Sequence, residues 1–131
     1  MRQSLVFTLL LAVLFLSATQ LPAQTATGVI TGSLTDSTGA VIPGAKVTLT
    51  DQQTNQSREQ MSNESGIYEF RALPRGNYTL SAELDGFKKE EVTGIQLTVA
   101  QTLRLDVQME VGALTEQVTV EATAGLVQVG D

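Results

Sequence analysis

The stretch Tyr78-Thr79-Leu80-Ser81-Ala82-Glu83-Leu84 alternates apolar and polar residues along its whole length. An extended strand points successive side chains to opposite faces. This spacing therefore gives a strand with one apolar face, starting at Tyr78, and one polar face, starting at Thr79. The stretch predicts a strand that covers a hydrophobic core on one side and faces water on the other.

The same alternation recurs on both sides of this stretch. It is found in residues 47–49, 67–72, 95–99 and 103–109. The runs are separated by short segments whose Gly, Pro, Asn and Asp residues favour chain reversal. These turn segments are Asp36–Gly39, Pro43–Gly44, Asn63–Gly66, Pro74–Asn77 and Asp85–Gly86. Short strands about ten residues apart, each with one apolar face, predict an all-β fold in which two antiparallel sheets pack as a β-sandwich.

The composition excludes most catalytic chemistry. The chain has 131 residues with no Cys and no His, so thiol nucleophiles, imidazole bases, disulfides and Cys or His zinc sites are absent. An excess of 14 acidic over 8 basic residues gives a net charge of −6, which disfavours binding to nucleic acid phosphates. We therefore expect a single domain that is not an enzyme, holds no cofactor or metal and does not bind nucleic acid.

The N-terminus has the pattern of a secretory signal peptide. Arg2 supplies a positive charge, and Leu5–Leu16 is almost continuously apolar. About a dozen apolar residues are too few to cross a bilayer, which favours a cleaved signal peptide over the alternative, an uncleaved anchor. We expect export and a mature chain without a membrane span.

Small residues after the apolar stretch place the cleavage site. Cleavage is expected after Ala23, with Ala18 and Ala26 as the alternatives. The mature chain of about 108 residues is long enough to bury a core without disulfides. The expected segments are a signal peptide at 1–23, a short arm at 24–27, the sandwich at 28–110 and a linker or extended tail at 111–131.

The sandwich region contains an ordered series of short motifs. They are Gly28–Asp36, Thr38–Leu49, Gly66–Phe70, Leu73–Leu80 and Gly86-Phe87. This series resembles the carboxypeptidase regulatory-like domain, and the resemblance covers residues 28–110. It implies a seven-stranded antiparallel sandwich of the transthyretin-like (prealbumin-like), immunoglobulin-like type, which is grouped with carbohydrate-binding-like folds.

The residues that follow, Val111–Ala122, are similar to the opening of Oar-like TonB-dependent outer-membrane receptors, in which a plug and a large β-barrel come next. The resemblance implies a periplasmic or outer-membrane location in a Gram-negative bacterium, with secretion as the alternative. It implies a receptor barrel or a TonB-type energy-coupling protein as the partner. Because the sequence to Asp131 holds neither plug nor barrel, we expect structural support or protein interaction rather than transport by this polypeptide alone.

Within this tail, Glu116-Gln117-Val118-Thr119-Val120 resembles a TonB box. Such a segment adds as a strand to the energy-coupling protein through main-chain hydrogen bonds. The alternating Val118 and Val120 suit that pairing. The alternative is that the segment forms a strand of this domain or an unpaired tail.

Carbohydrate binding is the alternative function, because exported sandwiches often present aromatic rings to sugars. Tyr68, Phe70 and Tyr78 lie on the apolar faces of the expected strands, which leaves Phe87 as the aromatic residue expected on a loop. The resemblance also offers a structural role for Phe87, as a plug at the edge of the core.

Acidic residues in the turns raise the question of a metal site. Asp36, Asp51, Glu64 and Asp85 could bind calcium if several of them converged. Turn acids more often accept hydrogen bonds from nearby backbone amides, and the sequence holds no Asp-x-Asp-x-Asp loop, so we expect capping instead.

Two neighbouring acids, Glu90 and Glu91, do not predict a glycosidase pair. Adjacent residues of a strand point to opposite faces, whereas that chemistry needs two carboxyl groups facing one cleft. The charged run Lys88–Glu91 is expected to form a solvated edge that protects against unwanted strand pairing.

Overall fold

The structure is a computed structural model that describes residues 1–6 and 26–122. The apolar N-terminal stretch and the cleavage sites expected after Ala18 and Ala23 lie outside the described residues. Within the two described ranges, no helix is long and apolar enough to cross a membrane.

The described residues contain nine strands. They are β1 Gly28–Thr35, β2 Lys46–Asp51, β3 Ser57–Met61, β4 Ile67–Leu73, β5 Gly76–Glu83, β6 Lys89–Leu97, β7 Thr102–Arg104, β8 Val107–Gln108 and β9 Gln117–Glu121. Strand β5, which holds most of the decisive alternating stretch, buries Tyr78, Leu80 and Ala82 and leaves the intervening side chains partly open to solvent. The expected pattern of one dry and one wet face is therefore present.

The strands form two sheets. One sheet has the order β4-β1-β7, with β8 also paired to β1, and the other has the order β3-β2-β5-β6-β9. The apolar faces of both sheets supply one continuous core, whose largest fully buried side chains include Tyr68, Ile30, Leu34, Leu80 and Met109. The all-β sandwich expected from the sequence is confirmed.

The expected count of seven strands, all antiparallel, is wrong. Both β7 and β8 run parallel to β1, and β9 runs parallel to β6. The expected run 103–109 divides because Asp106 Oδ1 accepts hydrogen bonds from the Ser33 amide (2.9 Å) and hydroxyl (3.0 Å), which replaces backbone pairing at that point. The chain crosses between sheets after β6 and again after β8, and such crossovers permit parallel pairing.

Strand β6 contains a bulge that changes which of its residues face the core. Tyr78 pairs with Ile95, but Leu80 pairs with Val92, so β6 carries an extra residue at this point. Gly94 sits in the bulge with φ of 70°, a conformation that favours glycine. Inward-facing positions are therefore odd-numbered after the bulge and even-numbered before it.

One close packing point lies within the β4-β1-β7 sheet, where residue 105 passes over β1. The Tyr68 hydroxyl donates a hydrogen bond to the Leu105 carbonyl, and the Leu105 amide donates to the Thr31 carbonyl at 2.8 Å. Gly32 lies directly beneath, where a Cβ would stand 1.8 Å from the Leu105 carbonyl oxygen. The backbone of Leu105 can approach β1 this closely because position 32 has no side chain.

Candidate interaction site

The TonB-box-like segment is an edge strand of the sandwich. Its residues 117–121 form β9, which pairs with β6 in the register Lys89↔Gln117 to Thr93↔Glu121. The Lys89 amide donates to the Glu116 carbonyl (2.8 Å) at one end, and the Ala122 amide donates to the Thr93 carbonyl (2.7 Å) at the other. All five predicted residues, from Glu116 to Val120, therefore lie at or beside this edge.

Few side-chain contacts hold β9 in place. Val118 is half-buried, whereas Val120 is 46% exposed. The Lys88 ammonium lies 3.4 Å from Glu110 and 3.5 Å from Glu116, and this pairing, led by the hydrogen bond to Glu110, raises the pKa of Lys88. Exposed ion pairs of this kind add little stability, so the strand is held mainly by its main-chain ladder.

The outer edge of β9 has no neighbouring strand in the part of the chain that the structure describes. A strand in this position offers a row of backbone N–H and C=O groups to an added strand. The site can therefore accept an extended segment by strand addition.

A cleft of about 410 Å³ opens between β9 and the β8 side of the other sheet. Its walls are mainly aliphatic, and its acidic residues come from three different parts of the chain. The apolar lining includes Val92, Leu105, Val107, Val118 and Val120, and the acidic lining residues are Glu90, Asp106, Glu110 and Glu121.

Glu90 is the acidic residue buried at this cleft. It is only 4% exposed, and its Oε2 has no hydrogen-bond partner among the described residues. Burial, followed by the nearby charge of Glu110, raises the pKa of the Glu90 carboxyl above its ordinary value. An unpaired carboxyl in this setting can bind a cation or a hydrogen-bond donor that enters the cleft.

Sequence reasoning missed Glu90. The expected solvated edge at Lys88–Glu91 is wrong for this residue, because the bulge turns Glu90 and Val92 toward the core while Glu91 points to the other face. The signal was Gly94, since an isolated glycine inside a strand pattern indicates a bulge. Counting alternation backward from Ile95 without the bulge assigns Glu90 to the wrong face.

The predicted sugar-contacting residue, Phe87, is not among the residues that line the cleft. It is partly buried and packs against the core, and its amide donates to the Leu84 carbonyl at 3.0 Å. Tyr68, Phe70 and Tyr78 are all buried. The described aromatic rings thus do not form an exposed stacking surface.

Two of the four turn acids, Asp36 and Asp51, accept hydrogen bonds from nearby backbone amides. Asp36 Oδ1 accepts hydrogen bonds from the Thr38 amide (2.8 Å) and the Ala40 amide (3.1 Å), and the bonds to Thr38 lower the pKa of Asp36. Asp51 Oδ1 accepts from the Gln53 amide at 2.8 Å. Across residues 1–6 and 26–122, no three acidic side chains group in a way that could hold a metal ion.

Comparison with known proteins identifies the family. Residues 29–110 match the family model of the carboxypeptidase regulatory-like domain. The chain belongs to this family. The match confirms the family membership that the ordered motifs of residues 28–110 predicted for this carboxypeptidase regulatory-like domain.

The domain is also related to a TonB-dependent receptor. It is 33% identical over 90 residues to the TonB-dependent transporter Oar of Myxococcus xanthus. That match covers 67% of this chain but 8% of the transporter. The chain thus corresponds to a small part of this curated relative.

Solved structures share the fold at low sequence identity. The TIE protein of Bacillus anthracis is 20% identical with a TM-score of 0.56, over 66% of this chain and 17% of that one. BcpA, the major pilin subunit of Bacillus cereus, is 20% identical with a TM-score of 0.51, and the match covers 66% of this chain and 31% of BcpA. A candidate carbohydrate-binding protein of Bacteroides uniformis is 18% identical with a TM-score of 0.53, and the match covers 63% of this chain and 40% of that protein. At these identities the likeness concerns the fold alone.

Proposed function

We propose that this protein is a non-catalytic, exported interaction domain of the bacterial cell envelope, and that it engages a protein partner through the outer edge of β9. Membership of the carboxypeptidase regulatory-like family and the relation to Oar support a receptor-associated role. They also support a periplasmic or outer-membrane location.

The observation that carries the proposal is the position of the TonB-box-like segment. The ladder to β6 occupies one edge of β9, and the other edge is unpaired within residues 26–122. Main-chain hydrogen bonds from an added strand give affinity with little dependence on sequence, while alternate side chains give specificity. A periplasmic TonB-type energy-coupling protein is the proposed partner, and a receptor barrel is the alternative.

Site-directed crosslinking tests this proposal. The chain has no Cys, so a single introduced thiol can be labelled uniquely with a photoreactive group. Thr119→Cys places the label on β9, on an exposed side chain. The labelled protein is irradiated with the purified C-terminal domain of a TonB-type protein, and the adduct is measured by mass spectrometry.

Glu59→Cys is the matched control. Glu59 is exposed on β3, which is the opposite edge strand of the same sheet. We expect adducts from position 119 and none above background from position 59. Equal adduct formation at both positions, or none at either, would overturn strand addition at β9.

Carbohydrate binding is less well supported. The fold likeness to the Bacteroides uniformis protein does not extend to a site, and Phe87 packs against the core. A glycan array with the native chain and Phe87→Ala distinguishes the two functions. Saturable sugar binding that Phe87→Ala abolishes would favour the carbohydrate-binding module.

A further inference from the structure

The cleft beside β9 is acidic. Among the described residues that line it, four are carboxylates, Glu90, Asp106, Glu110 and Glu121, and none is Lys or Arg. Two of these acids already have cationic neighbours outside the lining, because Arg104 lies 2.9 Å from Asp106 and Lys88 lies 3.4 Å from Glu110. The charge of the cleft thus favours a cationic occupant.

Glu90 supplies a second, independent reason to expect a ligand. Its side chain is almost completely buried, yet Oε2 accepts no hydrogen bond from the described residues. A buried carboxylate without a partner destabilises a fold, and such groups call for a specific explanation. A cationic donor entering the cleft would satisfy this oxygen.

The geometry selects a long side chain. Glu90 lies on β6, in register with Val118 of β9. A strand added at the outer edge of β9 lies about 10 Å from β6, or two strand spacings, so a short polar side chain would not reach Glu90. Lysine has a flexible apolar stem that can lie along Val118 and Val120, and its ammonium is a compact charge that suits one unpaired oxygen.

We propose that the cleft receives a lysine side chain from the strand that the partner adds to β9, with the lysine ammonium on the Glu90 carboxylate. This inference rests on the proposed protein-interaction function and names the chemistry of the partner. The added segment pairs with the edge of β9 and carries apolar residues beside the lysine, because the walls of the cleft are aliphatic.

Titration with n-butylammonium chloride tests the cleft directly, since this cation reproduces the end of a lysine side chain. Chemical shifts of the Val92 and Val118 amides are followed by NMR in the native protein. We expect saturable shifts with butylammonium in the native protein. Glu90→Gln should reduce the affinity for butylammonium about tenfold or more, and the native protein should bind uncharged n-butanol about tenfold or more weakly than butylammonium. Glu91→Gln is the matched control, because Glu91 is the next residue of β6 on the opposite face, and it should leave affinity unchanged.

A lysine built into β9 provides a second test. Val118→Lys places an ammonium in register with Glu90, whereas Val120→Lys places the same charge in register with Val92. We expect Val118→Lys to abolish butylammonium binding and to have the higher melting temperature of the two variants. Equal melting temperatures, together with unchanged butylammonium affinity in Val118→Lys, would overturn the proposal.

The two proposals fail in different ways. If crosslinking at position 119 persists and is insensitive to Glu90→Gln, strand addition stands and the lysine site is wrong. If butylammonium binds through Glu90 but no protein crosslinks at position 119, the proposed strand addition by a protein partner is wrong. The cleft is then a site for a free organic amine.

Discussion

Replacing Gly32 with alanine should destabilise the fold more than any other single-methyl addition in β1. The new Cβ would lie 1.8 Å from the Leu105 carbonyl oxygen and 2.5 Å from its carbonyl carbon, so the backbones must separate by more than 1 Å. Leu105 cannot move freely, because its amide donates to Thr31 at 2.8 Å and its carbonyl accepts the Tyr68 hydroxyl. Overpacking of this severity costs at least about 3 kcal/mol of unfolding free energy.

Thermal unfolding followed by circular dichroism measures this effect. For a domain of this size, about 3 kcal/mol corresponds to a drop in melting temperature of roughly 12 °C or more. Gly76→Ala is the matched control, since its Cβ would meet only Tyr78 Cε2 at 3.9 Å, and the change should stay within about 1 kcal/mol. A Gly32→Ala transition that coincides with that of Gly76→Ala would refute the close approach of β1 to Leu105.

Three further predictions concern buried polar groups. Tyr68→Phe removes the donor to the Leu105 carbonyl and should cost about 1–2 kcal/mol in urea unfolding. The buried Ser62 hydroxyl accepts a hydrogen bond from the Ala45 amide (2.9 Å) and donates one to the Ile42 carbonyl (2.8 Å). Ser62→Ala leaves both backbone groups without this partner and should cost about 2–3 kcal/mol of unfolding free energy in the same assay. Glu90→Gln should gain stability relative to the native chain as pH rises above the ordinary glutamate pKa, because a raised folded pKa means that native stability is lost as Glu90 ionises. A pH-independent difference between the two unfolding free energies would contradict the burial of its charge.

Local sequence was sufficient for most of the strands. The alternation in β2, in β5 and in the parts of β4 and β6 outside their bulges follows from the two-residue period of extended backbone, which needs no knowledge of the neighbouring strand. The exception is β3, whose residues Ser57–Met61 are all exposed and show no apolar face. It forms because β2 offers a free edge in the register Lys46↔Met61 to Thr50↔Ser57, and that edge exists only in the folded sheet.

The candidate site was only partly predictable. The sequence resemblance singled out Glu116 to Val120, but it left open whether the segment pairs with this domain or remains a tail. The structure pairs it with β6, where it forms one wall of the acidic cleft. Phe87, singled out as the aromatic residue expected on a loop, packs against the core, which agrees with the structural role that the family resemblance implied.

By itself, the sequence determined the fold class, the family and the strands that carry an apolar face, such as β2 and β5, because each depends on residue types read over a few neighbouring positions. Tertiary structure alone decided that Glu90 faces inward and that β9 closes beside it. The orientation of Glu90 depends on register, because the bulge at Gly94 shifts the inward-facing positions of β6 by one residue. The position of β9 depends on the chain crossovers, which determine the segment that reaches the edge of β6 and pairs with it. A one-residue shift in register exchanges the two faces of a strand. The register is set by pairing with the neighbouring strand, and the residues of one strand alone do not show which strand will be its neighbour.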